Sequence, residues 1–278
     1  MIIGHSVKLH VSSIDFDSVW LQRESGSDIP LPVAEAPNAV VGEDIAVFVY
    51  TNASGEPVAT TASPKACIGE CATLKVKSVT SAGAFLDWGI GKDLLLPYNE
   101  QRRPVEEGAS ESVLVYLDNS GRLAATSRLD HHLGNTDKGF KAWQAVDLLV
   151  FQRTDLGFKA VVDNRAVGLL YKDEIFQSLK TGQRVTGYVK RLREDSRLDL
   201  ALQPPAKVLK TTLSGQVMEY LNQHDGVSTL TDRSPPEAIY AEFGVSKKNY
   251  KRALSALYKQ RKIIIHDDRV ELANKTDQ

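Results

Sequence analysis

Two clusters of cations are the residues of this 278-residue chain best placed to do chemistry. Lys247, Lys248, Lys251, Arg252, Lys259, Arg261 and Lys262 lie in a stretch, 246–262, that contains no acid. Lys190, Arg191, Arg193 and Arg197 form the second cluster. Groups spaced this way can neutralise successive phosphates, giving affinity that depends on salt and little on sequence. The plainer alternatives are a solvated Lys-rich helix face or a protein-docking helix. Covalent chemistry has little support. Cys67 and Cys71 lie four apart without the third and fourth ligands a metal site requires. His131 and His132 have no acid pattern around them and read as part of a solvated linker, 128–142. No phosphate-binding Gly-rich loop and no nucleophile elbow occurs. The expectation is therefore a protein without catalytic residues, metal or cofactor.

The net charge of −1 conceals a gradient. Residues 1–63 carry 2 basic and 8 acidic side chains (−6), and 64–140 carry 9 and 10 (−1). Residues 141–204 carry 11 and 8, and 205–278 carry 12 and 9, so each segment is +3. The C-terminal half is the better partner for a polyanion. Two cysteines point to a reducing compartment, and the cytoplasm is expected. The N-terminus lacks a basic leader followed by an apolar run. No uncharged stretch approaches the ~18 residues of a membrane span, so no membrane partner is expected.

The elements that must position these cations come from a repeat. An offset of 65 carries Gly4 to Gly69, Leu9 to Leu74 and Leu31 to Leu96, and an offset of 66 carries Tyr50 to Tyr116. A third copy follows at 74 to 75, with Gly83 matching Gly157, Leu96 matching Leu170 and Glu100 matching Glu174. In the second copy Ala72, Leu74 and Val76 alternate with Thr73, Lys75 and Lys77, the period of a half-buried strand. Ala84–Asp87 restarts the alternation, Leu94–Leu96 is a short buried run, and strands at 112–117 and 122–127 flank a tight turn at Asp118–Gly121. Five short strands in about 60 residues predict an OB barrel.

Beyond Pro204-Pro205 the period changes to helical, with Leu213, Val217, Tyr220 and Leu221 on one face. Asp225-Gly226 ends that helix. Ser234, followed by Pro235 and Pro236, is the expected cap of a second helix that Gly244 ends, and Ser246 caps a third. Ile263–Ile265 and Val270–Leu272 read as a two-stranded ribbon. Three helices and a ribbon predict a winged helix-turn-helix.

GAFLDWGIGKDLLLP (83–97) resembles the S1-type RNA-binding OB domain, as do Val167–Tyr171 and RLDLALQ (197–203) in the third copy. Together with SPPEAIYAEFGVSKKNYKRALSALYKQRKI (234–263), these motifs resemble the conserved-virulence-factor-B-like (CvfB/YitL) family over essentially the whole chain. The resemblance implies a multidomain, mainly β protein with a C-terminal α+β domain: three tandem S1-like OB barrels followed by a winged helix. The expected domains are 1–63 (a degenerate barrel), 64–130, 143–204 and 210–274. It further implies a non-enzymatic RNA-binding protein with a post-transcriptional regulatory role.

S1-like domains stack bases on aromatics and track phosphates with cations. On the family's pattern the strand-two aromatic is Phe85, with Trp20 at the same position in the first copy. Alternation turns Phe85 and Asp87 outward and Ala84 and Leu86 inward, although packing remains an alternative for Phe85. Ala82 stands where the pattern has a further aromatic. Its third-strand histidine is Pro97 and Pro32 in copies two and one, and Tyr171 in copy three. The acid–base pair after strand four matches Asp118 and Arg122. Trp88 reads as a packing residue. The candidate RNA-binding set is therefore Lys75, Lys77, Phe85, Lys92, Asp118, Arg122, Tyr171, Lys190, Arg191, Arg193, Arg197, Lys247, Lys248, Lys251 and Arg252, and the expected partner is single-stranded RNA. Two alternatives stay open: a duplex-DNA-binding regulator working through the winged helix, and an interaction scaffold on ribosomal or RNA-processing proteins.

Overall fold

The computed structural model describes all residues except 1, 24, 134–138, 176–177, 196, 205 and 274–278, with backbone alone over 206–212. Residues 1–202 form one compact unit and 203–278 another. The first begins with β1 (Ser6–Ile14), β2 (Ser18–Leu21), β3 (Ile29–Pro32), β4 (Asp44–Thr51) and β5 (Pro57–Thr60), in the sheet order β3-β2-β1-β4-β5. The edge strands β3 and β5 lie alongside each other, so the sheet curls into a barrel. The same order recurs in β6 (Cys71–Thr80), β7 (Gly83–Asp87), β8 (Leu94–Pro97), β9 (Ser110–Leu117) and β10 (Leu123–Thr126), arranged β8-β7-β6-β9-β10. After α1 (Leu129–Leu133), a third barrel is built from β11 (Ala145–Thr154), β12 (Gly157–Val162), β13 (Ala166–Tyr171), β14 (Arg184–Leu192) and β15 (Leu198–Ala201). This one closes fully through a parallel pairing of β13 with β15.

Each barrel is filled by the inward phase of its strands. Leu74, Val76, Ala84, Leu86, Leu96, Val113 and Val115 fill the second, and Leu148, Val150, Ala160, Val162, Leu170 and Leu200 the third. The repeated glycine has a steric cause. Gly83 (φ 140°) and Gly157 (φ 150°) open the second strand of their barrels beneath the carbonyls of the third. A Cβ there would lie 2.4 Å from the Leu96 oxygen and 1.9 Å from the Leu170 oxygen, so only glycine fits.

The 128–142 segment departs from the expected solvated linker. Leu129 and Leu133 of α1 are buried, and His132 Nε2 lies 3.0 Å from a Glu100 carboxylate oxygen. Two leucines four apart make one apolar helical stripe, and the neighbouring barrel walls cover it. The centre of that segment, 134–138, lies outside the described residues, as does Pro205.

The second unit contains α2 (Ala206–Gln223), β16 (Val227–Ser228), α3 (Pro236–Phe243), α4 (Lys247–Lys259), β17 (Ile263–Ile265) and β18 (Val270–Leu272). Leu213, Val217, Leu221, Ile239, Tyr250, Leu254, Leu257 and Ile263 form its core. Gly244 ends α3 in the left-handed conformation (φ 63°), and the Ser246 hydroxyl caps α4 by accepting the Asn249 N–H. Two expectations are corrected. The sheet has three strands, β16-β18-β17, because the short β16 joins the ribbon. Ser234 does not cap α3; its hydroxyl accepts the Thr231 N–H at 2.9 Å, and α3 starts from Pro235 without a side-chain cap. Pro236 has no N–H to satisfy at the first helical position, which lowers the need for one.

Candidate nucleic-acid interface

On the second barrel Phe85 stands in the middle of β7, with Ser78 of β6 and Leu95 of β8 as its register neighbours. Its strand neighbours Ala84 and Leu86 are fully buried, while Phe85 itself is half-buried on the outer face. Lys75 is exposed on β6 opposite Asp87. Asp87 is bound by Lys65 at 2.6 Å, which holds its carboxyl below the usual range. Lys77 is bound to Asp93 at 2.8 Å, and that carboxylate raises its ammonium. Phe85 with Lys75 and Lys77 is thus an aromatic ledge flanked by cations, the arrangement on which a base stacks while its phosphate is neutralised.

The other second-barrel candidates serve local structure. Asp118 accepts the N–H groups of Ser120 and Arg122 at 2.8 and 2.9 Å and lies 3.5 Å from the Arg122 guanidinium, so this pair shapes the β9–β10 turn. Lys92 donates to the carbonyls of Thr51 and Asn52 and joins the first two barrels, and burial holds its ammonium below the usual value. Trp88 is a packing residue. It is 1% exposed, sits edge-on to Phe48 at 5.3 Å and donates its indole N–H to the Ala66 carbonyl at 2.8 Å. On the first barrel, Trp20 donates its indole N–H to Asp15 at 2.6 Å.

The third barrel differs most from its repeat partners. Leu149, Phe151, Val161 and Val167, on the outer face of β11–β13, are buried in a cluster with Cys71, Leu114, Leu129 and Leu133. Lys159, at the repeat position of Phe85, reaches Asp130 at 2.9 Å. Arg184 donates to Asp147 and to the Cys71 carbonyl, Asn164 accepts the Cys71 N–H at 3.0 Å, and Thr73 donates to the Gly182 carbonyl at 3.3 Å. The face corresponding to the Phe85 ledge is therefore an interface between barrels. Cys71 belongs to it, and burial pushes its thiol up to about 12.

What the third barrel leaves open is its Tyr171 end. The Tyr171 hydroxyl donates to Asp199 at 3.1 Å, and Arg193 reaches that hydroxyl at 3.4 Å. Arg193 and Arg197 lie 3.5 and 3.7 Å from Asp195, and Lys190 is paired with Glu174. Of this cluster, Arg191 is exposed and has no carboxylate partner among the described residues.

In the second unit α4 buries Tyr250, Ala253, Leu254 and Leu257 and turns Lys248, Arg252, Ser255 and Lys259 outward. Lys247 donates to the Arg233 carbonyl at 3.1 Å and Lys251 pairs with Asp232 at 3.4 Å. Lys248, Arg252, Lys259, Arg261 and Lys262 have no carboxylate partner among the described residues. On the β17–β18 turn the carboxylates of Asp267 and Asp268 are paired with Arg233 and Arg269 at 2.8 and 3.2 Å.

Three cations outside the candidate set converge in space. Arg102 and Arg103 follow the second barrel's Glu100, and Arg153 lies near the end of β11. Together they line a cleft of about 260 Å³ between the second and third barrels. Their separation in sequence hides them, and the adjacent pair after a repeat-matched position is the one signal that sequence offers.

Comparison with known proteins agrees with this architecture. A model of the S1 domain matches residues 3–62 and 68–128, and a model of the CvfB-like winged helix domain matches 215–272. The chain resembles the CvfB-like proteins, whose winged helix domain it carries. It is 25% identical over 293 residues to conserved virulence factor B of Staphylococcus aureus, covering 99% of this chain and 95% of that one. The same-named protein of Staphylococcus saprophyticus is 23% identical over 286 residues, with coverages of 99% and 95%. A solved structure described as a multidomain protein with nucleic acid binding domains, from Streptococcus pneumoniae, is 21% identical with a TM-score of 0.42, covering 97% of this chain and 98% of that one. The family models place two kinds of module in this chain, S1-type barrels and a winged helix, and both kinds serve nucleic-acid binding.

Proposed function

We propose that this protein is a non-enzymatic, cytoplasmic RNA-binding protein that acts as a post-transcriptional regulator and grips single-stranded RNA. The observation that carries the reading is the pairing of an outward aromatic ledge, Phe85 with Lys75 and the Asp93-bound Lys77, with the α4 cations Lys248, Arg252 and Lys259, which have no carboxylate partner among the described residues. Stacking on Phe85 suits unpaired bases, which a duplex does not offer. The cations of α4 supply the sequence-independent part. Tyr171 with Arg191 makes a smaller contribution, because the rest of its barrel's outer face is occupied by packing. Several modest grips on one chain raise the effective concentration of a strand already held at one of them.

The competing reading is duplex DNA on the winged helix, although its β17–β18 turn, where Asp267 and Asp268 are paired with Arg233 and Arg269, offers a phosphate backbone no unpaired cation among the described residues. Fluorescence anisotropy with a labelled single-stranded RNA, competed by single-stranded DNA and by duplex DNA, separates the two. Displacement mainly by single strands supports the proposal. Displacement mainly by duplex overturns it in favour of the DNA reading, and absence of RNA binding overturns it in favour of a protein scaffold.

A further inference from the structure

From the cleft between the second and third barrels we infer a distinct binding site for a ribonucleotide phosphodiester. The inference rests on the RNA-binding reading and locates a part of the interface that the S1 pattern does not supply. Three guanidinium groups from two barrels face one polar hollow: Arg102, Arg103, and Arg153 on β11. Among the described residues no Asp or Glu lines the hollow. The buried Glu111, between the lining residues Ser110 and Ser112, lies 3.8 Å from Arg103 and also interacts with the charge of Arg102, whereas Arg153 has no carboxylate partner among the described residues. Three guanidinium groups against one buried carboxylate leave the hollow a positive excess, and guanidinium groups suit the planar two-point recognition of phosphate.

A second, independent observation points to the sugar. Gln152 lines the same hollow, and its amide oxygen is buried without any hydrogen-bond partner among the described residues. A buried acceptor left unpaired costs free energy; solvent does not reach this oxygen, so a ligand donor recovers that cost by drawing the Gln152 side chain round towards it. A phosphodiester is an acceptor only, so it cannot satisfy this atom. A ribose 2′-hydroxyl can donate, and it is the group that separates RNA from DNA. The exposed Ser110 and Thr181 at the rim add hydroxyls for the remaining phosphate oxygens. The hollow, about 260 Å³, lies just below the ~300–1,000 Å³ of drug-sized ligand pockets, which suits one phosphate and its sugar.

The cleft also explains a use for the rigid packing between these two barrels. Cys71, Leu129, Phe151 and Val167 hold the barrels together, so the backbone positions that carry these arginines keep their spacing without a ligand. That is preorganisation, which lowers the entropic cost of binding.

The test uses the full chain, a labelled single-stranded RNA and DNA of the same sequence. Replacing Arg102→Gln and Arg153→Gln together should weaken RNA binding about tenfold or more. It should also reduce the salt slope by about 0.7, for the one phosphate of a single strand that is no longer neutralised. Gln152→Leu should lower the RNA-over-DNA preference while leaving the salt slope in place. Far-UV circular dichroism and melting confirm that both variants are folded, and Arg153→Gln alone, at an exposed position, serves if the double variant is not. A wild type that binds RNA and a double variant that binds it equally well with the same salt slope would overturn the cleft and leave the functional reading standing. A wild type that binds no RNA would overturn the functional reading itself.

Discussion

The two cation clusters look equivalent in the sequence, but the structure ranks them. Consider two quadruple alanine variants, one at Lys248, Arg252, Lys259 and Lys262, the other at Lys190, Arg191, Arg193 and Arg197. The first removes cations that have no carboxylate partner among the described residues. The second removes Lys190 from Glu174, and Arg193 and Arg197 from Asp195, so Arg191 is the one member without a pairing among the described residues. A paired cation must give up its carboxylate to take a phosphate, and the exchange releases little net counter-charge. At ~0.7 units of salt slope per phosphate on single-stranded nucleic acid, the α4 variant should lose close to 3 units and the third-barrel variant about 0.7. Between 50 and 200 mM salt those slopes correspond to about a 50-fold and a threefold difference in how steeply affinity falls. Anisotropy titrations at five salt concentrations, with circular dichroism to confirm folding, measure both. Equal flattening by the two variants would refute the argument that local ion pairs decide which cations are available.

Trp88→Ala should cost roughly 3–5 kcal/mol in urea unfolding, since it empties the joint against Phe48 and leaves the Ala66 carbonyl without its donor. Gly157→Ala should destabilise by at least ~1–3 kcal/mol because strained backbone is joined by a clash with the Leu170 oxygen. Gly121→Ala, at a turn with open space around it, should cost clearly less in the same urea assay. The Cys71 thiol, pushed up to about 12, keeps a proton that the unfolded chain releases near 9. Its contribution is therefore fully present below pH 9 and is lost as pH rises from 9 towards 12. Urea midpoints at about pH 8 and about pH 10.5, on either side of the unfolded thiol's titration, should fall further for the wild type than for Cys71→Ala.

The barrels are legible because their information is local. Alternating side chains, the turn at Asp118–Gly121 and the glycines that open the second strand in barrels two and three are written within a few residues of one another. The orientation of Phe85 follows from the same alternation. What sequence does not reveal depends on residues far apart. The outer face of β11–β13 carries Leu149, Phe151, Val161 and Val167 because it packs on its neighbour, but a strand apolar on both sides reads much like one buried within a single barrel. The short α1 reads as linker because five residues give too little periodicity to recognise. The Arg102, Arg103 and Arg153 cleft needs two barrels docked before it exists at all. Pairing of charges is equally invisible: Lys190 and Glu174 are sixteen residues apart and meet only across the barrel.

Mapping where a single strand lies tests the central claim most directly. Photo-crosslinking of the full chain to single-stranded RNA carrying 4-thiouridine, followed by mass spectrometry of the peptides, reports the points of attachment residue by residue. The account predicts crosslinks to the β7 peptide containing Phe85 and to α4, with Phe85→Ala abolishing the former. Crosslinks confined to residues 206–278, with none on the second barrel, would contradict it.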